Sequence, residues 1–278
     1  MKQSFRIAII AALVMFVAVA AFRASSYTVV STPPDTSTYK LVFSDEFNLP
    51  DGSQPDSTKW RRCIRYNSLW NKWVSNSKDV VFIKNGKLIC KAIPNRTEKT
   101  DTAQMLTGAI ETLNKFNFTY GKIEARMRTN NKKGNFPAIW TRNVTKSTTD
   151  PYSEIDVVEI FGKQKKSFHT AHTQYTITTA RHKEKNSFNK NLNPTKWHVY
   201  GLIWTPDMLI WTVDGEEVGR YNKSNDQGLR QKGQWTFNSP HYIRINQSVG
   251  DGVHGMVQDV NTTYTTEIDW IRVYQPSV

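Results

Sequence analysis

Glu154-Ile155-Asp156-Val157-Val158-Glu159 sets three carboxylates within an apolar run that continues through Ile160 and Phe161. β-Branched and aromatic residues favour the pleated backbone, so the stretch reads as a strand. Side chains on a strand alternate faces, which puts Glu154 and Asp156 together and turns Glu159 away. One extra residue, a β-bulge near Val157-Val158, brings Glu159 back to the shared face. With the bulge absorbing one residue, the Cα atoms of Glu154 and Glu159 stand roughly 13 Å apart. On a concave sheet the two side chains can lean toward a carboxyl separation of about 5 Å, where one attacks a sugar carbon and the other donates a proton. Glu154 is then the nucleophile and Glu159 the general acid/base. Asp156, between them, is expected to hydrogen-bond Glu154 and apportion charge. The plainer reading is a solvated face carrying three scattered acids, which would need cations nearby, the next in sequence being Lys163.

The run resembles the bulged E-x-D-x-x-E active-site signature of glycoside hydrolase family 16. Other motifs resemble that family in order. They are Leu41-Val42-Phe43-Ser44-Asp45-Glu46-Phe47, Asn85-Gly86-Lys87-Leu88, Tyr120-Gly121-Lys122-Ile123-Glu124-Ala125-Arg126 and Phe136-Pro137-Ala138-Ile139-Trp140. Trp197-His198-Val199-Tyr200, Trp204-Thr205-Pro206-Asp207, Val213-Asp214-Gly215 and Glu267-Ile268-Asp269-Trp270-Ile271-Arg272-Val273-Tyr274 follow. The resemblance implies an all-β jelly-roll sandwich of two curved antiparallel sheets with a concave substrate cleft, over residues 39–278. It implies a retaining endo-β-glycosidase with no catalytic cofactor. The expected substrate is a β-1,3- or mixed-linkage β-1,3(4)-glucan. The alternatives are a galactan, sulfated or of mucin type, and a non-catalytic glycan-binding protein. The three carboxylates favour the enzyme over the binder.

Outside the resemblance, residues 1–21 combine Lys2 and Arg6 with an apolar run from Ile7 to Val19, too short for a comfortable membrane span. Ala18-Val19-Ala20 offers a cleavage site, so these residues read as a signal peptide without a lipoprotein cysteine. Residues 22–38 read as a flexible leader. The expected protein is secreted or periplasmic, monomeric, and without stable membrane association once cleaved. The formal charge of +13 includes Lys2 and Arg6. No basic helix or nucleic-acid motif accompanies it, so a nucleic-acid partner is not expected. A polyanionic glycan or dispersed surface charge accounts for it, and Lys163-Gln164-Lys165-Lys166 keeps the first in view. Cys63 and Cys90 are the only cysteines. An exported chain permits a disulfide between them, and two buried thiols are the alternative.

From residue 39 onward short apolar runs alternate with turns. Asn85-Gly86 and Asp214-Gly215 each sit between strand-like runs and predict hairpins. Trp140 matches a family sugar platform, and Phe136 stands where glucan-cleaving members usually carry Trp. Trp70 and Trp73, in a polar loop, are candidate ligand-facing rings. Trp197, Trp204, Trp211 and Trp270 are expected in the core. By resemblance, His172 lies beside the catalytic groups as a neutral imidazole, Asn246 faces the cleft, and Glu46 and Asp269 are candidate ligands for a structural calcium. Arg142, within Thr141-Arg142-Asn143, and the His172-Thr173-Gln174-Tyr175 run depart from the glucanase pattern. Arg142 tilts the reading toward galactose-containing chains.

Overall fold

The computed structural model describes residues 35–36, 38–145, 147–180, 182–250 and 259–277. The expected signal peptide and the leader up to residue 34 lie outside them.

Two antiparallel sheets build the fold. The first carries, in spatial order, β10 (Ser187–Asn191), β9 (Lys166–Thr173), β8 (Ser153–Glu159), β7 (Asn135–Asn143), β14 (His241–Val249) and β5 (Met105–Glu111), with β2 (Arg61–Arg62) beside β5. The second carries β4 (Leu88–Pro94), β15 (Tyr264–Pro276), β6 (Gly121–Thr129), β11 (His198–Trp204), β12 (Met208–Val213) and β13 (Glu216–Asn222). There β1 (Tyr39–Asp45) pairs with β15 and β3 (Val81–Ile83) with β4. Pairing of β4 with β5, from Ala92↔Thr107 to Pro94↔Met105, joins the sheets at one corner. Among the described residues two short helices interrupt the strands, α1 (Gln174–Thr178) and α2 (Gln227–Gln231). Among the described residues no helix is long and apolar enough to cross a membrane.

Alternation decides which side chains meet between the sheets. Ile123 and Ala125 on β6, Tyr200, Leu202 and Trp204 on β11, and Leu209 and Trp211 on β12 are buried against Ile139, Ile155, Ile243 and Ile245 from the first sheet. Burying a large apolar side chain contributes on the order of 1.5–3 kcal/mol, so this layer holds the strands of the first sheet in register. Both predicted hairpins form. Asn85 and Gly86 have φ of 51° and 63°, and Asp214 and Gly215 have 53° and 84°, the left-handed pairs that two-residue hairpin loops require.

Trp204 and Trp211 are core residues as expected, but Trp197 and Trp270 are not. Both are half-buried on the outer side, where guanidinium groups cover them: Arg126 and Arg128 each lie 4.7 Å from the Trp197 ring, and Arg272 lies 4.3 Å from Trp270. Cys63 and Cys90 are buried free thiols. Cys63 packs with Val74 and Ala109, while Cys90 sits against Gly108 in the main core. Gly108 and Ala109 are consecutive on β5 and face opposite ways, so the strand stands between the two thiols. Lys163 and Lys165 are exposed.

Candidate active site

The bulge forms on β8 where the acids need it. Across to β7 the register runs Ala138↔Glu159, Ile139↔Val158, then Trp140↔Asp156, which leaves Val157 unmatched. Across to β9 it runs Asp156↔Thr170, then Glu159↔Phe168, so Val157 and Val158 together oppose His169. His169 is fully buried, and burial pulls its imidazole down to about 4, so the ring is neutral. Its Nδ1 lies 2.7 Å from the Val157 carbonyl and must donate to it, while Nε2 lies 2.9 Å from Ser167 Oγ. The Trp211 indole, from the opposite sheet, donates to the Asp156 carbonyl at 2.8 Å. Two side chains thus hold the peptide carbonyls at the bulge, and Glu154, Asp156 and Glu159 all line one cavity.

The three carboxylates sit in different electrostatic surroundings. Burial is the main influence raising Glu159 well above the usual carboxylate range, with Asp156 and Glu154 adding repulsion and a hydrogen bond to Asp156 favouring the protonated form. Among the described residues nothing around Glu159 opposes that rise. Glu154 is also raised by burial and by Asp156, to about 7, but His172, the Tyr152 hydroxyl and Arg142 work against the rise. Tyr152 donates to Glu154 Oε2 at 2.7 Å. Glu154 keeps 15% of its side-chain surface open at the cavity floor, where a bound substrate would cover it. His172 Nε2 lies 3.1 Å from Asp156 Oδ2 and 3.9 Å from Glu154 Oε1. Burial pulls the imidazole down, but the two carboxylates outweigh it and lift it to about 9. His172 is therefore an imidazolium at neutral pH rather than the neutral ring expected. The expected bond from Asp156 to Glu154 is also replaced, since Asp156 pairs with Glu159 and His172 while Tyr152 takes Glu154.

Trp140, Asn246, Phe136 and Trp70 line the same cavity. Trp140 is 5% exposed and donates from its indole to Asn246 Oδ1 at 2.7 Å, so it builds the floor and offers little open ring. Trp70 stands edge-on to Trp140 at 5.2 Å and is the half-buried ring of the pair. Phe136 is buried against Phe161. Trp73 does not reach the cavity wall. It packs on Ala92, Met105, Val249 and Tyr264, because the turn at Asn71-Lys72 sends it toward that smaller cluster. Arg142 lies beside the site with its guanidinium 3.6 Å from the centre of the Tyr152 ring. Tyr152, His169 and Trp211 were absent from the sequence-based candidates. Alternation alone could have found Tyr152, two residues before Glu154 and hence on its face.

The calcium pair does not fit a divalent cation. Glu46 forms a two-pronged ion pair with Arg272 at 2.9 Å, and Asp269 is bonded to Arg126. Calcium takes six to eight oxygen ligands, and here each acid is already neutralised by a guanidinium. Glu154, Asp156 and His172 present ligand atoms within 4.8 Å of one another. The imidazolium and Asp156 neutralise each other there, which suits proton control better than metal binding.

A family model for glycosyl hydrolases family 16 matches residues 67–272. The chain belongs to that family. It is similar to a keratan-sulfate endo-1,4-β-galactosidase of Sphingobacterium multivorum, 28% identical over 256 residues, or 91% of this chain and 59% of that one. It is also similar to the glucan endo-1,3-β-glucosidase A1 of Niallia circulans, 26% identical over 277 residues, or 88% of this chain and 39% of the relative. The chain thus spans between two fifths and three fifths of these relatives' length. Among solved structures it resembles SCLam, a non-specific endo-β-1,3(4)-glucanase, with a TM-score of 0.72 and 26% identity over 87% of this chain and 92% of that one. The two-sheet sandwich is the fold of family 16.

Proposed function

We propose that this family 16 protein is a secreted retaining endo-β-glycosidase. The observation that carries the reading is the unequal treatment of Glu154 and Glu159. Glu154 is held by a hydroxyl donor and faced by two cations, which favours the anion and so the nucleophile. Glu159 has only influences that keep its proton, as a general acid needs. Asp156 holds that proton from one side and is balanced by the His172 imidazolium on the other. The chemistry draws on the chain's own carboxylates and water.

The substrate is a β-1,3- or mixed-linkage β-1,3(4)-glucan, a reading supported by the likeness to glucan-cleaving members. A second reading, a β-galactosyl chain, is favoured by two observations. Phe136 withdraws into the aromatic floor, and Arg142 stacks beside the site. The likeness to the keratan-sulfate enzyme points the same way. Reducing-end release from laminarin, mixed-linkage glucan, agarose and keratan sulfate, comparing wild type with Glu154→Gln, tests both. Release from one substrate class, lost in the variant, supports the reading. No release from any β-glycan, with binding retained, would favour a glycan-binding protein.

A further inference from the structure

Tyr152 belongs to neither the signature nor the aromatic floor, yet its hydroxyl reaches the carboxylate assigned as nucleophile. We propose that Tyr152 is a positioning residue that fixes Glu154 Oε2 as a permanent hydrogen-bond acceptor and so selects Oε1 as the attacking oxygen. This rests on the retaining reading above.

Three observations carry it. Tyr152 Oη donates to Oε2 at 2.7 Å, whereas the nearest cationic atom to Oε1, His172 Nε2, is 3.9 Å away and too far for a hydrogen bond. Oε1 is therefore the oxygen left open to substrate. The phenol is held at every handle: its backbone N–H donates to Gln174 Oε1 at 3.0 Å, its carbonyl accepts from Thr236 Oγ1 at 2.8 Å, and its ring lies 3.6 Å below the Arg142 guanidinium. Tyr152 also lines both the catalytic cavity and a second, polar cavity with Arg142, Thr148 and Gln174, so it forms the wall between them. Burial and the charge of Glu154 hold its hydroxyl proton firmly, so it donates at any working pH.

In the first step Oε1 bonds to the anomeric carbon, the glycosidic C–O bond breaks, and the departing oxygen takes the Glu159 proton. Oε2 then becomes the carbonyl oxygen of the glycosyl ester and keeps the Tyr152 hydrogen bond. In the second step water bonds to the anomeric carbon, its proton passes to Glu159, and the bond to Oε1 breaks, restoring the carboxylate. One donor thus serves Oε2 as anion, as ester carbonyl and in both transition states.

The groups facing Glu154 are Asp156 and Glu159 on its own strand, His172 on β9 and Arg142 on β7, besides the phenol. Of these the Tyr152 hydroxyl, His172 and Arg142 favour the anion, so removing the hydroxyl moves the ionisation of Glu154 upward. The experiment compares wild type with Tyr152→Phe, which keeps the ring under Arg142. It measures the rate of covalent labelling by an activated 2-deoxy-2-fluoro glycoside, with the labelled residue identified by mass spectrometry, and the pH profile of kcat/KM. The expected result is labelling on Glu154 slowed about tenfold or more, an acid limb displaced to higher pH, and KM little changed. Labelling within twofold of wild type with an unmoved acid limb would leave Tyr152 as a wall only and overturn the proposal. If Tyr152→Phe does not fold, Thr236→Val, which removes the hydroxyl holding the Tyr152 carbonyl and carries no charge toward Glu154, should show slowed labelling, and an unchanged rate there would equally overturn it. Wild type that is never labelled at Glu154 defeats the retaining reading itself, a result distinct from either variant's.

Discussion

The Nδ1 of His169 lies 2.7 Å from the carbonyl of Val157, the residue of β8 that has no partner on β7. A bulge frees backbone groups from the ladder, and a buried carbonyl left without a donor costs about 1–3 kcal/mol. His169→Ala should therefore lower stability by about that amount and reduce kcat more than it raises KM, because the bulge sets the direction of Glu159. Trp211→Phe removes the matching donor to the Asp156 carbonyl and should act the same way more mildly. Thermal melts alongside steady-state kinetics check this. Stability loss in both variants with kcat intact would separate the clamp from catalysis.

Acid should also reach His169. Its folded value, about 4, lies below the ordinary histidine value of 6.5, and His241 is pushed down to about 3 by burial. For such groups the native state is fully stable above about pH 6.5, and stability falls as pH drops through that value until the folded one is passed. The slope reaches about 1.4 kcal/mol per pH unit for each ring. Urea midpoints between pH 7 and 4 should fall, and replacing His169 by a neutral residue should flatten the fall.

The trio should fail in three ways. Glu154→Ala should show no covalent intermediate, and azide should give an inverted product. Glu159→Ala should lose most activity on natural chains and less on aryl glycosides, with azide giving a retained product. Asp156→Asn should lose less than Glu154→Ala and shift the pH profile, since it neutralises the partner of both Glu159 and His172. Product configuration by NMR is the readout. Retained product from the Glu154 variant and inverted product from the Glu159 variant would reverse the two roles.

The acid limb of kcat/KM should fall near pH 7, set by ionisation of Glu154. His172⁺ opposes the rise of Glu154, so His172→Gln should move that limb upward. The His172 contribution to stability runs the other way from His169. Its folded value is about 9, so the contribution is full below about pH 6.5 and is lost as pH rises through 9. An acid limb that stays put in His172→Gln would sever the link.

Chelation should leave the protein unmoved. Glu46 and Asp269 are paired with Arg272 and Arg126, so EDTA should not lower the melting temperature by more than about a degree, whereas loss of a bound structural ion acts by mass action on the folded state. A clear drop that calcium restores would show that these ion pairs are not the resting arrangement.

Much of the molecule was legible because strands and turns carry local signals. The E-x-D-x-x-E run located the bulge to within its two valines, and the two hairpins were written in Asn-Gly and Asp-Gly. What could not be read was which neighbour each acid takes. Asp156 turns to Glu159 because the bulge re-aims Glu159, and Tyr152 takes Glu154 because α1 and Thr236 fix its backbone. The contacts that fix Tyr152, from Gln174 and Thr236, come from segments distant in sequence. Trp73 failed for the same kind of reason. Its loop is polar, but the turn at Asn71-Lys72 decides whether the ring enters the cleft or a neighbouring cluster. Trp197 and Trp270 show that a tryptophan in a strand pattern can be covered by arginine instead of by core.

Pairing of β1 with β15 runs from Tyr39↔Pro276 to Asp45↔Ile271. The chain therefore enters and leaves the domain side by side, on the sheet opposite to the one that carries the carboxylates. Such a domain can be spliced into a longer polypeptide, or its ends joined and reopened elsewhere, without threading anything past the cleft. That gives a structural reason why one catalytic unit can serve in proteins of very different total length, as the partial coverage of its relatives illustrates.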